Sequence, residues 1–419
     1  MNKIIDIISI ISLQGGWIFF MLLSYFGIRY EGVGESNLFI YFWGIISSFA
    51  IIMLSKKILH RRLSKAFLYA ILTIFIMTFM FVISGMRSHR FFYAFIAMSA
   101  PSTIFGVYFA ENRLVYKFPK YFFWLILYSL YPLAISYLSD FGDRSRFNVI
   151  SGWSTLGLGY GSASLFIFLY YYFQNKAYFE HVGISPVKKG VLKIFKNNIV
   201  IVFSMLFVLF TAIAVGSRGP LVSIIGSILF IELFKDGLNI KLLRAIIATA
   251  ILSIGLVYVI RNMQVDAFRG AFSRINMLIE GIIGGDVASA SSGRDSLYKI
   301  AWNHFTDHPF LGLGFAGFIK KYNGYPHNIV LEFLADYGIL GSSIWFSLFI
   351  YIFKPLFHNL KRNPEMLLFV AVFMIEVFGL MFSNTFLNSY ILWFYFGYGL
   401  YMRFGENNKK KATGLVPHL

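Results

Sequence analysis

Apolar stretches long enough to cross a hydrocarbon core of roughly 30 Å recur about twelve times along this chain, and that recurrence limits its fold more than any motif does. They lie near residues 7–28, 37–55, 66–84, 91–110, 121–139, 153–173, 198–215, 220–234, 243–260, 328–353, 366–385 and 389–402. In lipid, every backbone polar group must be satisfied internally, which helices achieve within one segment. The expected fold class is therefore an all-α polytopic membrane protein, a single transmembrane domain over residues 1–419 with about twelve transmembrane helices. Composition agrees, because 13% charged residues is about half the share found in soluble domains, and 49 Phe, 26 Tyr and 7 Trp exceed what an aqueous core absorbs. Cytosolic enzymes, nucleic-acid binders and secreted disulfide scaffolds are excluded. With no cysteine, disulfides, thiolate catalysis and Cys-ligated metals drop out as well. The first apolar stretch is too long for a cleavable signal segment and lacks a small-residue cleavage site.

Charge then sets the expected topology. With Met1 in the cytoplasm, 24 of the 37 Lys and Arg fall in cytoplasmic segments and 13 in outer ones, so both termini are expected inside. The connection 261–327 is then an outer loop, long enough to be a folded functional element carrying short amphipathic helices. The two cations divide unequally: 18 Lys and 6 Arg inside, 3 Lys and 10 Arg outside. Arg presents a planar fork that grips phosphate oxygens bidentately, so an Arg-rich outer face points to an anionic ligand. The competing reading pairs these Arg with lipid phosphates or, for Arg144 and Arg146, with Asp140 and Asp143.

Three outer places combine polar or basic residues with a helix start. In Gly216-Ser217-Arg218-Gly219-Pro220, Arg218 sits where outward amides already favour anions; the alternative is a plain hairpin whose Arg snorkels. In Ser291-Ser292-Gly293-Arg294-Asp295, Arg294 opens a helix whose Tyr298, Ala301, Trp302 and Phe305 would lie on the membrane. A cation in a first turn costs the helix about 0.3–1 kcal/mol, which favours a ligand role for Arg294. In Tyr325-Pro326-His327-Asn328, His327 and Asn328 are expected in the first turn of the tenth span, where a helix N-terminus keeps imidazole neutral and able to take a proton. A His that merely caps the helix beside headgroups fits the position equally. Asn328, Glu332 and Asp336 form a polar stripe that must face protein or water.

Other chemistries are missing: there is no Asp-x-Asp pair, no His-Glu-x-x-His, no nucleophile elbow and no Walker A loop. His308 and the Gly312-Leu313-Gly314 run read as a turn. Glu376, in mid-span, either braces an Arg or bonds a Tyr.

Taken together, Ser-Arg-Gly-Pro-Leu at 217–221, Ser-Gly-Arg-Asp at 292–295, His-Pro-Phe-Leu-Gly-Leu-Gly-Phe at 308–315, Tyr-Pro-His-Asn-Ile-Val-Leu-Glu at 325–332 and Gly-Ile-Leu-Gly at 338–341 resemble the O-antigen polymerase and O-antigen ligase superfamily. The resemblance implies a GT-C-type membrane glycosyltransferase of the bacterial inner membrane, working without a metal or other cofactor and with inversion. Its donor would be an undecaprenyl-diphosphate-linked oligosaccharide at the periplasmic face; its partners, membrane lipid and a chain-length regulator of the Wzz type, with no nucleic acid. By that match Arg218 and Arg294 hold the diphosphate and His327 activates the acceptor hydroxyl. Polymerases of this kind also carry Arg-x10-Gly in outer loops. Arg146 with Gly157 and Arg274 with Gly285 fit, whereas Arg294 has Phe305 at that offset and departs. The expected substrate-binding set is thus Arg144, Arg146, Arg274, Tyr325, Asn328 and Glu332, with outer-loop aromatics such as Trp302, Phe315, Phe318, Tyr322 and Tyr325 stacking on sugars or packing the core.

Polymerase and ligase differ only in acceptor, another lipid-linked repeat unit or the lipid A core. The 325–332 block looks more like polymerase versions. A lipid-oligosaccharide flippase would share the span count but predicts inverted repeats and midplane charges, whereas here charge gathers at one face.

Overall fold

The structure is a computed structural model that describes residues 2–13, 44–49, 51–52, 64–87, 89–121, 155–181, 197–214, 218–236, 247, 251, 255, 294–358 and 360–405. Among the described residues there is no strand. The helices used below are α1 (Asn2–Ser12), α2 (Lys65–Ile83), α3 (Arg90–Glu111, with a π turn at Phe95–Ser99), α4 (Thr155–Gln174), α5 (Lys176–His181), α6 (Asn198–Ala214), α7 (Arg218–Asp236), α8 (Asp295–Asp307), α9 (Gly317–Tyr322), α10 (Ile329–Phe353), α11 (Pro364–Leu380) and α12 (Tyr390–Phe404). Among the described residues, three segments are long and apolar enough to cross a membrane, Lys65–Ile83, Arg90–Glu111 and Ile329–Arg362, and Asn198–Ile213 is a shorter apolar helix. The spans expected at 121–139 and 243–260 fall largely outside the described residues. One boundary differs from expectation: the stretch 366–385 is not a continuous helix. α11 stops at Leu380, because Ser383, Asn384 and Thr385 offer the backbone local side-chain partners, such as Thr385 N–H to Asn384 Oδ1 at 3.0 Å.

Small residues bring the interior helices together. A Cβ on Gly106 of α3 would lie 1.9 Å from the Phe394 carbonyl oxygen of α12, and one on Gly397 would lie 2.0 Å from that of Thr103. Without a hydrophobic driving force in lipid, such backbone approach is what packs helices. Gly226 of α7 likewise admits the Phe378 ring of α11, 2.4 Å from where its Cβ would be. α2, by contrast, leaves Leu68, Ile71, Leu72, Phe75 and Phe79 exposed, a surface that only lipid would cover.

Polar contacts sort the connections into two ends. At one end Lys117 pairs with Asp6, Lys235 donates to Gln174, Tyr170 and Gln174 donate to Glu232, and Tyr178 donates to Glu365. At the other, Lys320 donates to the Ser84 carbonyl at 3.0 Å, and the His89 ring meets the Asn323 side chain at 3.2 Å. Residues 84–89 and 320–323 thus share one end.

α10 is interrupted at Gly338 (φ 60°, ψ −166°). The backbone groups freed by the break are taken up by the loop 309–314: Leu313 and Gly314 N–H donate to the carbonyls of Ala335 (2.9 Å) and Asp336 (2.7 Å). In return, Ile339 and Leu340 N–H donate to Pro309 (2.8 Å) and Phe310 (3.2 Å). Broken helices persist at membrane depth only when neighbours re-satisfy the backbone in this way. The close approach requires glycine, since a Cβ on Gly338 would lie 2.4 Å from the Phe310 carbonyl carbon. Phe333 to Gly338 are buried apart from the half-buried Leu334, whereas Ile339, Leu340 and Ile344 are exposed alongside Phe310 and Leu311. The apolar outer flank of α10 thus begins at the break.

Candidate functional site

Three successive carbonyls just after α11, those of Met381, Phe382 and Ser383, gather donors from the starts of α8 and α10. Asn328 Nδ2 donates to Met381 O at 3.3 Å, the Arg294 guanidinium donates to Phe382 O, and Ser383 O accepts from Tyr325 Oη at 3.2 Å and His327 Nδ1 at 3.4 Å. The residues come from three separate stretches of sequence and meet on one turn.

Local sequence explains each position. Asn328 is the N-cap of α10, its Oδ1 accepting from the amides of Val330 (3.0 Å) and Leu331 (3.1 Å). His327 therefore precedes the helix and adopts a left-handed backbone (φ 59°), a conformation in which His is tolerated. This corrects the expectation that His327 and Asn328 occupy the first helical turn. The neutrality of His327 survives on other grounds: burial holds its pKa below the ordinary 6.5, helped by the Arg294 charge and opposed by the Ser383 carbonyl. With Nδ1 donating to that carbonyl, Nε2 keeps a lone pair for accepting a proton. Burial likewise raises the pKa of Tyr325, so its hydroxyl stays protonated.

Arg294 is the residue before α8 and caps it with no side-chain bond, which frees the guanidinium to reach Phe382. Of the α8 face expected to lie on the membrane, Ala301 instead packs inward. Leu297, Ile300, Ala301 and His304 pack toward Phe318, Leu331 and Ala335, whereas Trp302 is half exposed. His304 was not singled out from sequence; its Nε2 meets Tyr322 Oη at 2.5 Å. Phe315 and Phe318 are buried core residues rather than a sugar platform.

α7 begins at Arg218, and its next residue packs directly on the turn. A Cβ on Gly219 would lie 2.1 Å from Tyr160 Oη and 3.0 Å from Ser383 Oγ, and these two hydroxyls are 2.7 Å apart. The start of α7 is thereby brought beside the same turn. Arg144, Arg146 and Arg274 lie outside the described residues, as does the side chain of Arg218.

The acidic residues stand behind the site. Glu332, expected to bind substrate, is completely buried and accepts from Thr385 Oγ1; Asp336 is also completely buried and accepts from Phe318 N–H at 2.7 Å, capping α9. The polar stripe of α10 thus faces protein, as expected of it. Among the described residues Glu376 bonds neither an Arg nor a Tyr: it accepts from Asn384 Nδ2 (3.4 Å) and Ser389 Oγ. Among the described residues no group of three His, Cys, Asp or Glu is arranged to hold a metal. Sequence reasoning missed Tyr160 and residues 381–389. The available signal was the Ser-Asn-Thr run inside an otherwise apolar stretch.

Residues 203–346 match a family model described as O-antigen ligase. That match supports the O-antigen polymerase and ligase superfamily. Members of this family are glycosyltransferase-like enzymes of lipopolysaccharide biosynthesis acting on lipid-linked oligosaccharides, which accords with the apolar helices of a membrane protein. Curated proteins and solved structures gave no match. The matched region contains Arg218, Arg294 and the block from Tyr325 to Glu332, but ends before the turn at 381–389 on which they converge.

Proposed function

We propose that the chain is an O-antigen polymerase. It transfers a growing glycan from undecaprenyl diphosphate to a hydroxyl of another undecaprenyl-diphosphate-linked repeat unit, at the periplasmic face of the inner membrane. The observation that carries this reading is the convergence of Arg294, Tyr325, His327 and Asn328 on the carbonyls of 381–383, beside the start of α7. A glycosyl diphosphate is already activated, so its transfer needs cations for the departing diphosphate, a base for the attacking hydroxyl and fixed orientation. Arg218 and Arg294 supply the cations and His327 Nε2 the base. The acceptor oxygen attacks the anomeric carbon from the face opposite the diphosphate, the C–O bond to the diphosphate breaks, and the configuration inverts. The proton passes to His327, and undecaprenyl diphosphate leaves with the bond's electron pair. Arg144, Arg146 and Arg274 extend the cationic face, and the chain adopts a GT-C-type arrangement of about twelve spans with both termini cytoplasmic. A chain-length regulator is its expected partner.

The polymerase-like block at 325–332 favours a second lipid-linked repeat as acceptor, whereas the description of the matched family favours ligation to the lipid A core. The lipopolysaccharide ladder of a deletion strain separates these. Cores capped with a single repeat support the polymerase; uncapped core with long lipid-linked polymer assigns the ligase reaction instead.

A further inference from the structure

We infer that Thr385 and Glu376 are positioning residues for the transfer reaction, holding the segment 381–389 so that its carbonyls orient Arg294 and His327. The inference rests on the site proposed above. The segment serves that site through main-chain acceptors, so what fixes those acceptors fixes the site. Its position is set from beneath by side chains. Thr385 Oγ1 donates to Glu332 of α10 and also accepts from Leu387 N–H at 3.3 Å, while Asn384 and Ser389 both donate to Glu376 of α11. Ser99 Oγ of α3 and Trp393 Nε1 of α12 donate to the carbonyls of Leu387 (3.1 Å) and Phe386 (2.8 Å). Four helices therefore clamp one short connection, and Thr385 within it is completely buried.

Stability alone gives a poor reason for this chemistry. A buried acid and the hydroxyl bonded to it can be replaced together by apolar side chains with little loss, so a carboxyl at this depth is better explained by what it orients. The bonds beneath the segment are directional, and a displacement on the order of 1 Å at the reacting groups costs up to about 10²-fold in rate.

The test compares apolar and conservative substitutions in the full-length protein in nanodiscs, with extracted undecaprenyl-diphosphate-linked repeat units as substrate. Thr385→Val and Glu376→Leu each leave a buried partner unpaired, so they are expected to fold but with less stability, read as a lowered melting temperature. Their kcat should fall on the order of 10- to 100-fold with KM changed much less. Thr385→Ser and Glu376→Gln, which keep the donor and the acceptor respectively, are expected to recover activity to within a few-fold. Wild-type turnover in Val and Leu, or equal impairment in Ser and Gln, overturns the inference. Loss of folded protein in both apolar variants also overturns it, because the bonds would then hold the fold. His327→Ala measured alongside separates the two claims: if it transfers like wild type, the site itself is misread; if it is inactive while Thr385→Val is unimpaired, only the positioning role fails.

Discussion

The two ends of the helical bundle handle charge in opposite ways. At the end holding Glu232, Glu365 and Asp6, carboxylates answer the donors: Lys117 meets Asp6, Tyr170 and Gln174 meet Glu232, and Tyr178 meets Glu365. At the end holding Arg294 and His327, the donors meet neutral carbonyls, while Glu332 and Glu376 are engaged behind the turn. Among the described residues, carboxylates accept most of the polar contacts at the first end, whereas at the second a guanidinium and a neutral imidazole rest on carbonyls, the two groups that binding a diphosphate and deprotonating a hydroxyl require.

The sharpest way to break this contrast is to remove the base. His327→Ala should lower transfer by roughly 10²–10⁴-fold, the usual value of a positioned acid or base. In the wild type, transfer should fall as pH drops through a His327 pKa lying below the ordinary 6.5, because the protonated ring cannot accept the hydroxyl's proton. A profile flat across that range removes His327 from the chemistry.

Arg294→Lys, and Arg218→Lys with it, should lose on the order of 10- to 100-fold in transfer although charge is retained, since an ammonium cannot reproduce the bidentate fork. Wild-type rates in both would leave these residues a headgroup or topological role. The scaffold beneath is probed by Gly338→Ala, where a Cβ would meet Phe310 at 2.4 Å at positive φ, against Gly314→Ala, also at positive φ but with nothing within 4 Å. The first should cost more than about 3 kcal/mol and much of the folded yield, the second about 1 kcal/mol of backbone strain. Equal melting temperatures would show that the loop 309–314 does not complete α10. At the opposite end, Lys117→Ala should change stability by at most about 1 kcal/mol and leave transfer untouched, because this half-exposed ion pair is screened by water. An activity loss there would dissolve the contrast between the ends.

Much of this was readable from the residues, and the failures have physical causes. Apolar runs fix helix positions because each helix satisfies its own backbone, so α2, α3, α4, α6 and α12 fall where the sequence places them within a few residues. The polar stripe on α10 was legible because a carboxyl inside an apolar helix must find protein. The Gly338 break was not, since a glycine in an apolar run reads as helix until the distant loop 309–314 is seen to bond its freed backbone groups. The turn at 381–385 escaped for a related reason: it contributes carbonyls, which every residue has, so side-chain identity carries almost no trace of its role. His327 was singled out as a site candidate but assigned to the wrong backbone position, because Pro326 suits a helix start whereas Asn328 supplies the cap.

The central claim, that the Arg294 and His327 end is a diphosphate site with a separate base, is tested most directly by titrating undecaprenyl diphosphate into nanodisc-held wild type, Arg294→Lys and His327→Ala. The account predicts weakened binding for Arg294→Lys and near wild-type affinity for His327→Ala. Equal affinity in all three, or weakened binding only in His327→Ala, would contradict it.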